Sequence, residues 1–144
     1  MGRRRGGSHR PLAVAVVNTW RWAAVVIWVY AAGFGLAAIP VAWFLLTRGR
    51  LPVVFGLFPA YGGPWSERLS QSTFVLLLGA FLLVTMVAAL SGWLLWDGSR
   101  LGSTLALALI PVEAVFWYGF ALPIPPLAAL IRVVLIVMAW RSLN

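Results

Sequence analysis

Two residues of this 144-residue chain carry charge where the surrounding sequence offers none. Glu113 lies in the run Ile110-Pro111-Val112-Glu113-Ala114-Val115-Phe116, and Arg132 lies in Leu130-Ile131-Arg132-Val133-Val134. A charge in the middle of an apolar membrane helix costs about 2.5–3.5 kcal/mol on insertion scales, so it marks either a pair or a site. The connection between the two runs centres near Pro123, ten residues after Glu113 and nine before Arg132. At about 1.5 Å per helical residue, both charges lie roughly 14 Å from that turn, at matched depth on adjacent helices. An ion pair is the expected arrangement. It serves either as a clamp between the two helices or as a polar site for a substrate, a proton or a lipid head group. Pro111 has no N–H to give the carbonyl of Leu107, which leaves that acceptor free one turn from Glu113. Helical spacing places Ala106, Leu109, Ile110, Phe116, Trp117 and Phe120 on the Glu113 face. It places Ala128, Ala129, Ile136 and Ala139 on the Arg132 face.

A second group of polar and aromatic residues falls between two apolar runs: Arg48, Arg50, Tyr61, Trp65 and Arg68, with Glu67 among them. Such a set could bind an anionic head group or a partner protein, or it could simply cap the fold with its charges in water. No catalytic constellation appears. Ser91, Ser99, Ser103 and Thr85 have no nearby His or Lys to activate them. The chain has no Cys, one His (His9) and three acids, Glu67, Asp97 and Glu113. Thiol chemistry, Cys-based zinc or iron–sulfur sites and bis-histidine haem are therefore excluded for the chain alone, and an all-protein carboxylate metal site lacks ligands. No cofactor, metal or enzyme activity is expected.

The elements that must position these residues follow from composition. Hydrophobic residues make up 62% of the chain and the mean hydropathy is +0.96, well above the roughly 45–50% apolar content of soluble domains. Only 10% of residues are charged. Lipid is the solvent that absorbs the excess. Four apolar runs predict an all-α, integral membrane bundle of four transmembrane helices, at residues 22–46, 74–96, 102–122 and 125–140. The first run is too long for a signal-peptide core, and Pro40 is expected to kink its outer third. The fourth is the shortest. Residues 1–21, with Arg3, Arg4, Arg5, Arg10 and Arg21, read as a basic cytoplasmic tail, leaving 22–144 as the membrane domain.

Tight turns at Asp97-Gly98 and at Pro123-Ile124-Pro125-Pro126 predict an up-down order for the last three helices. The connection from about Thr47 to Gln71 is long and apolar at Leu51–Phe58, so it is expected to pack over the bundle mouth or to lie in the interface. Small residues four apart (Ala31 with Gly35, Gly33 with Ala37, Ala88 with Gly92, Gly102 with Ala106) permit close helix approach. Most of the nine Trp residues fall near span ends, as interfacial anchors do.

A net charge of +8 and a pI near 11.8 would fit nucleic acid if the Arg residues formed a soluble basic face. Here they flank apolar runs, so anionic lipid is the expected partner and nucleic acid is not. With the N-terminus inside, seven Arg fall on the cytoplasmic side and three outside, which places both termini in the cytoplasm. The basic residues are all Arg, in an Ala-, Gly-, Val- and Leu-rich chain. That composition fits a GC-rich bacterial genome and the plasma membrane as location. In length and span number the chain is similar to the small multidrug exporters. Their essential acid lies in the first span, where this chain has none, so no site residue is carried over. The expected function is that of a small non-catalytic multi-pass protein, an accessory or binding subunit acting through its helix faces and outer loop. Its partners would be the lipid bilayer and another membrane protein or a second copy. The alternative is a small transporter or proton-linked carrier built on Glu113 and Arg132.

Overall fold

The computed structural model describes residues 19–144. The basic tail predicted over residues 1–21 falls outside the described residues up to position 18. Four helices are long and apolar enough to cross a membrane: α1 (Thr19–Arg48), α2 (Gln71–Trp96), α3 (Arg100–Gly119) and α4 (Pro125–Ser142). Each begins two to three residues before its predicted start, except α4, which begins at the predicted Pro125. Thr19, Trp20 and Arg21 are helical, and the guanidinium of Arg21 stacks over the Trp96 ring at 5.1 Å, a contact between the first turn and the end of α2. The fourth helix gains length from a final 3₁₀ turn, Trp140–Ser142.

The first helix is irregular at its centre. Residues Ala31–Leu36 form a π-helical stretch, after which α-helix resumes at Ala38. Pro40 explains the position. It has no N–H for the carbonyl of Leu36, and its ring crowds that carbonyl, so the deformation lies in the turn before the proline rather than in the outer third beyond it. Pro111 acts in the same way in α3, where regular helix ends at Ala108 and restarts at Ile110.

α1 packs along α2 and, through its first half, along α4; α2 also packs on α3. Gly35 permits the α1–α2 approach, since a Cβ there would lie 2.2 Å from Thr85 Oγ1. Gly102 does the same for α2 and α3, where an added Cβ would meet the backbone of Leu94 and Leu95. Two buried apolar clusters result. One holds Ala23, Ala24, Ile27, Ala88, Leu95, Ala106 and Ile136. The other is aromatic, with Tyr30, Tyr61, Phe74, Phe81, Trp117 and Phe120.

α1 and α2 have 30 and 26 residues, whereas α3 and α4 have 20 and 18. The difference of about ten residues amounts to roughly 15 Å. The connection 49–70 fills that step. It holds a two-stranded hairpin, β1 (Val53–Val54) paired antiparallel with β2 (Phe58–Pro59), and a one-turn helix, Pro64–Arg68. Trp65 stacks edge-on against Phe116 and Phe120, and its ring occupies the space a Cβ on Gly119 would need. The expected cap over the bundle mouth is therefore present, and it rests on the end of α3.

Candidate functional site

Glu113 and Arg132 meet. Arg132 Nη2 donates to Glu113 Oε2 at 2.6 Å, and Nη1 donates to Oε1 at 3.4 Å. This is the paired fork that a guanidinium offers a carboxylate. Both residues are shut away from the surface, at 0% and 2% exposure. It is the one ion pair among the described residues. Arg132 Nε is the only buried side-chain nitrogen or oxygen among the described residues without a hydrogen-bond partner.

The surroundings of the pair are close-packed. Tyr30 of α1 covers it, held where the Nε1–H of Trp117 donates to its hydroxyl at 3.1 Å, with the two rings edge to face. The void beside the charges is about 10 Å³, at the lower limit for a single water. Tyr30, Trp117, Pro125 and Ala129 contribute to its walls. The aromatic face expected around Glu113 and the small-residue face around Arg132 are both there, but the slot between them is filled by α1. Tyr30 is the residue that reading α3 and α4 alone misses. Its signal is weak: one phenol in the otherwise apolar run Trp22–Leu46.

The connection residues separate into two groups. Tyr61 and Trp65 pack inward. The Tyr61 hydroxyl donates to the carbonyl of Phe34 inside the irregular stretch of α1, and its ring packs on Phe81 and Phe120. Burial pushes the Tyr61 phenol above its ordinary pKa. Arg48, Arg50 and Arg68 are exposed and make no ion pair with a described acid. Arg48 stacks over the Phe44 ring at 5.7 Å.

Two features at this end are not visible as motifs. The first is an open apolar groove of about 570 Å³ between the C-terminal half of α1, the hairpin and the α3–α4 turn. Phe34, Pro40, Phe44, Phe58 and Ile124 are among its walls. The second is the hairpin tip. Val53, Phe55, Leu57 and Phe58 are all exposed, Phe55 at 92%. Phe55 and Gly56 both take positive φ, 50° and 72°, at the centre of a tight turn that the Leu57 N–H closes by donating to the Val54 carbonyl at 3.0 Å, within a loop of residues 55–57 between the paired Val54 and Phe58. Phe55 holds that conformation at a cost a glycine would avoid. Apolar residues on both sides of Phe55-Gly56 are the sequence trace of this hairpin.

No protein-family model matches the chain, and neither a curated protein nor a solved structure does.

Proposed function

We propose that this chain is a non-catalytic multi-pass membrane protein that acts as an accessory or binding subunit, through the platform built by the 49–70 connection. One contrast supports this reading. The intramembrane charges are closed on each other around a void of about 10 Å³, whereas an apolar groove of about 570 Å³ and a hairpin of exposed apolar side chains lie open beside it. A carrier needs its acid to exchange partners and needs a path to it. A two-point ion pair sealed under Tyr30 and Trp117 offers neither, and fits a clamp that specifies which helices pair. An apolar surface held out on a built hairpin is a common form of recognition surface.

In this reading the four helices cross a bacterial plasma membrane in up-down order, with both termini in the cytoplasm and the hairpin outside. The test is affinity purification from native membranes with a C-terminal tag. Wild type is expected to retain a second polypeptide or a second copy of itself. A Phe55→Asp, Leu57→Asp variant is expected to lose it while keeping its thermal stability. Retention of the partner by that variant would move the interaction away from the hairpin. Absence of any partner, together with substrate-dependent proton flux in proteoliposomes that Glu113→Gln abolishes, would favour the carrier.

A further inference from the structure

We infer that the groove between α1, the hairpin and the α3–α4 turn is a binding site for one acyl chain of an anionic phospholipid, whose phosphate sits on Arg48 and Arg50. The inference rests on the membrane placement proposed above, but not on the existence of a protein partner.

Shape, depth and charge carry it. The groove follows α1 from Gly33 to Phe44, eleven steps along the helix. At the helical rise this is about 16 Å, close to the roughly 15 Å of one leaflet's hydrocarbon. Its walls are aromatic and aliphatic on three sides: Phe34 and Phe44 on the helix, Phe58 on the hairpin, and Leu122 and Ile124 on the turn. A volume of about 570 Å³ lies within the range of small-molecule sites, about 300–1,000 Å³. The hairpin holds the far wall away from α1, and Tyr61 fixes its base by donating to the carbonyl of Phe34, so the groove is built rather than incidental.

Two cations follow just beyond its Phe44 end. The Arg48 guanidinium stands over Phe44, itself a wall of the groove. Arg50 follows after Gly49, which takes the left-handed conformation that ends the helix. Arg50 lines a separate, more polar cleft with Ser66 and Gln71 at the same end of α1, and neither Arg is itself a wall of the groove. Neither Arg is neutralised by a described acid, so a phosphate is the complementary group. A phosphate beyond the Phe44 end would pair with these cations as a neutral apolar ligand would not, and a transmembrane helix would need a wall open along its whole length.

The measurement uses purified, delipidated full-length protein incubated with phosphatidylglycerol and phosphatidylcholine of identical chains, and native mass spectrometry of what remains bound. Wild type is expected to retain one phosphatidylglycerol per chain in preference to phosphatidylcholine. Each Arg near a membrane surface contributes about fivefold to anion binding. Arg48→Ala with Arg50→Ala should therefore lower the preference by roughly 25-fold, to near parity. Gly33→Phe should abolish retention of both lipids. A Cβ at Gly33 meets nothing within 4 Å, so the added ring enters the groove without a clash in the core. Equal retention of the two lipids by wild type, or undiminished retention by Gly33→Phe, would overturn the inference. A polypeptide from native membranes that Gly33→Phe displaces would also overturn it, while leaving the accessory-subunit reading intact. Lipid binding as described, with no protein partner found, would uphold it while removing that reading.

Discussion

Arg132 holds both carboxylate oxygens of Glu113, at 2.6 and 3.4 Å, between two helices joined by only five residues. The consequences of breaking this pair are asymmetric. Glu113→Gln leaves a buried guanidinium without its counter-charge, and losing one partner of a buried pair costs about 3–5 kcal/mol. Removing both, as Glu113→Leu with Arg132→Leu, is expected to recover most of that loss, because an apolar pair of similar volume is often neutral or better. Thermal unfolding in detergent of wild type, both singles and the double checks this, beside rescue of a deletion strain. A stable double variant that fails to rescue would make the pair a working site.

Gly33 and Gly35 should respond oppositely to one substitution. Gly35 lies where α1 meets Thr85, and an added Cβ would sit 2.2 Å from that hydroxyl. Gly35→Ala is expected to destabilise by about 1–3 kcal/mol through overpacking. Gly33, two residues earlier, faces open space. Gly33→Ala should stabilise by about 0.5–1 kcal/mol, since it relieves the conformational entropy of a helical glycine. Paired thermal melts decide the sign at each site. Destabilisation at both positions would mean that the irregular stretch needs glycine for its backbone rather than for clearance.

These two sites also mark how far the sequence reaches. Four long helices, and the matched depth of Glu113 and Arg132, follow from apolar run lengths and residue counts, because helical rise is fixed. The spacing of Gly35 and Gly33 is equally legible, yet it suits both for close packing. Only the tertiary arrangement assigns Gly35 to α2 and leaves Gly33 at the groove. Tyr30 was hidden for a related reason. A phenol in an apolar run has no periodic signature, and its role depends on α1 lying across the α3–α4 pair. The hairpin leaves a local trace around Phe55-Gly56, but its groove depends on the step of roughly 15 Å between long and short helices, which no local pattern encodes.

Tyr61 ties the cap to α1 by one hydrogen bond to the Phe34 carbonyl. Tyr61→Phe should cost about 1 kcal/mol at neutral pH. Burial raises the phenol's folded pKa above its unfolded value of about 10. The neutral form is therefore favoured in the fold. Its contribution is complete below about pH 10 and is lost as pH rises toward the folded value. The gap between wild type and Tyr61→Phe should shrink above that pH, because the variant has no phenol to ionise. Melting temperatures of both proteins from pH 7 to 11 test this. A gap that widens with pH would mean that the phenol ionises more easily in the fold than outside it.

Sidedness is the remaining expectation, and the chain suits its measurement because it contains no cysteine. Leu57, at the hairpin tip, is 79% exposed, and Asp97 is exposed in the turn between α2 and α3. The seven-to-three division of Arg predicts the hairpin outside and the turn inside. Leu57→Cys should react with a membrane-impermeant maleimide in intact cells, and Asp97→Cys only after the membrane is opened. The four-helix, up-down reading requires the two positions to lie on opposite faces, since α2 alone separates them. Labelling of both from the same side would remove α2 as a crossing helix. Labelling in the reverse sense would keep the four spans and invert the protein, which would put the groove, Arg48 and Arg50 in the cytoplasmic leaflet.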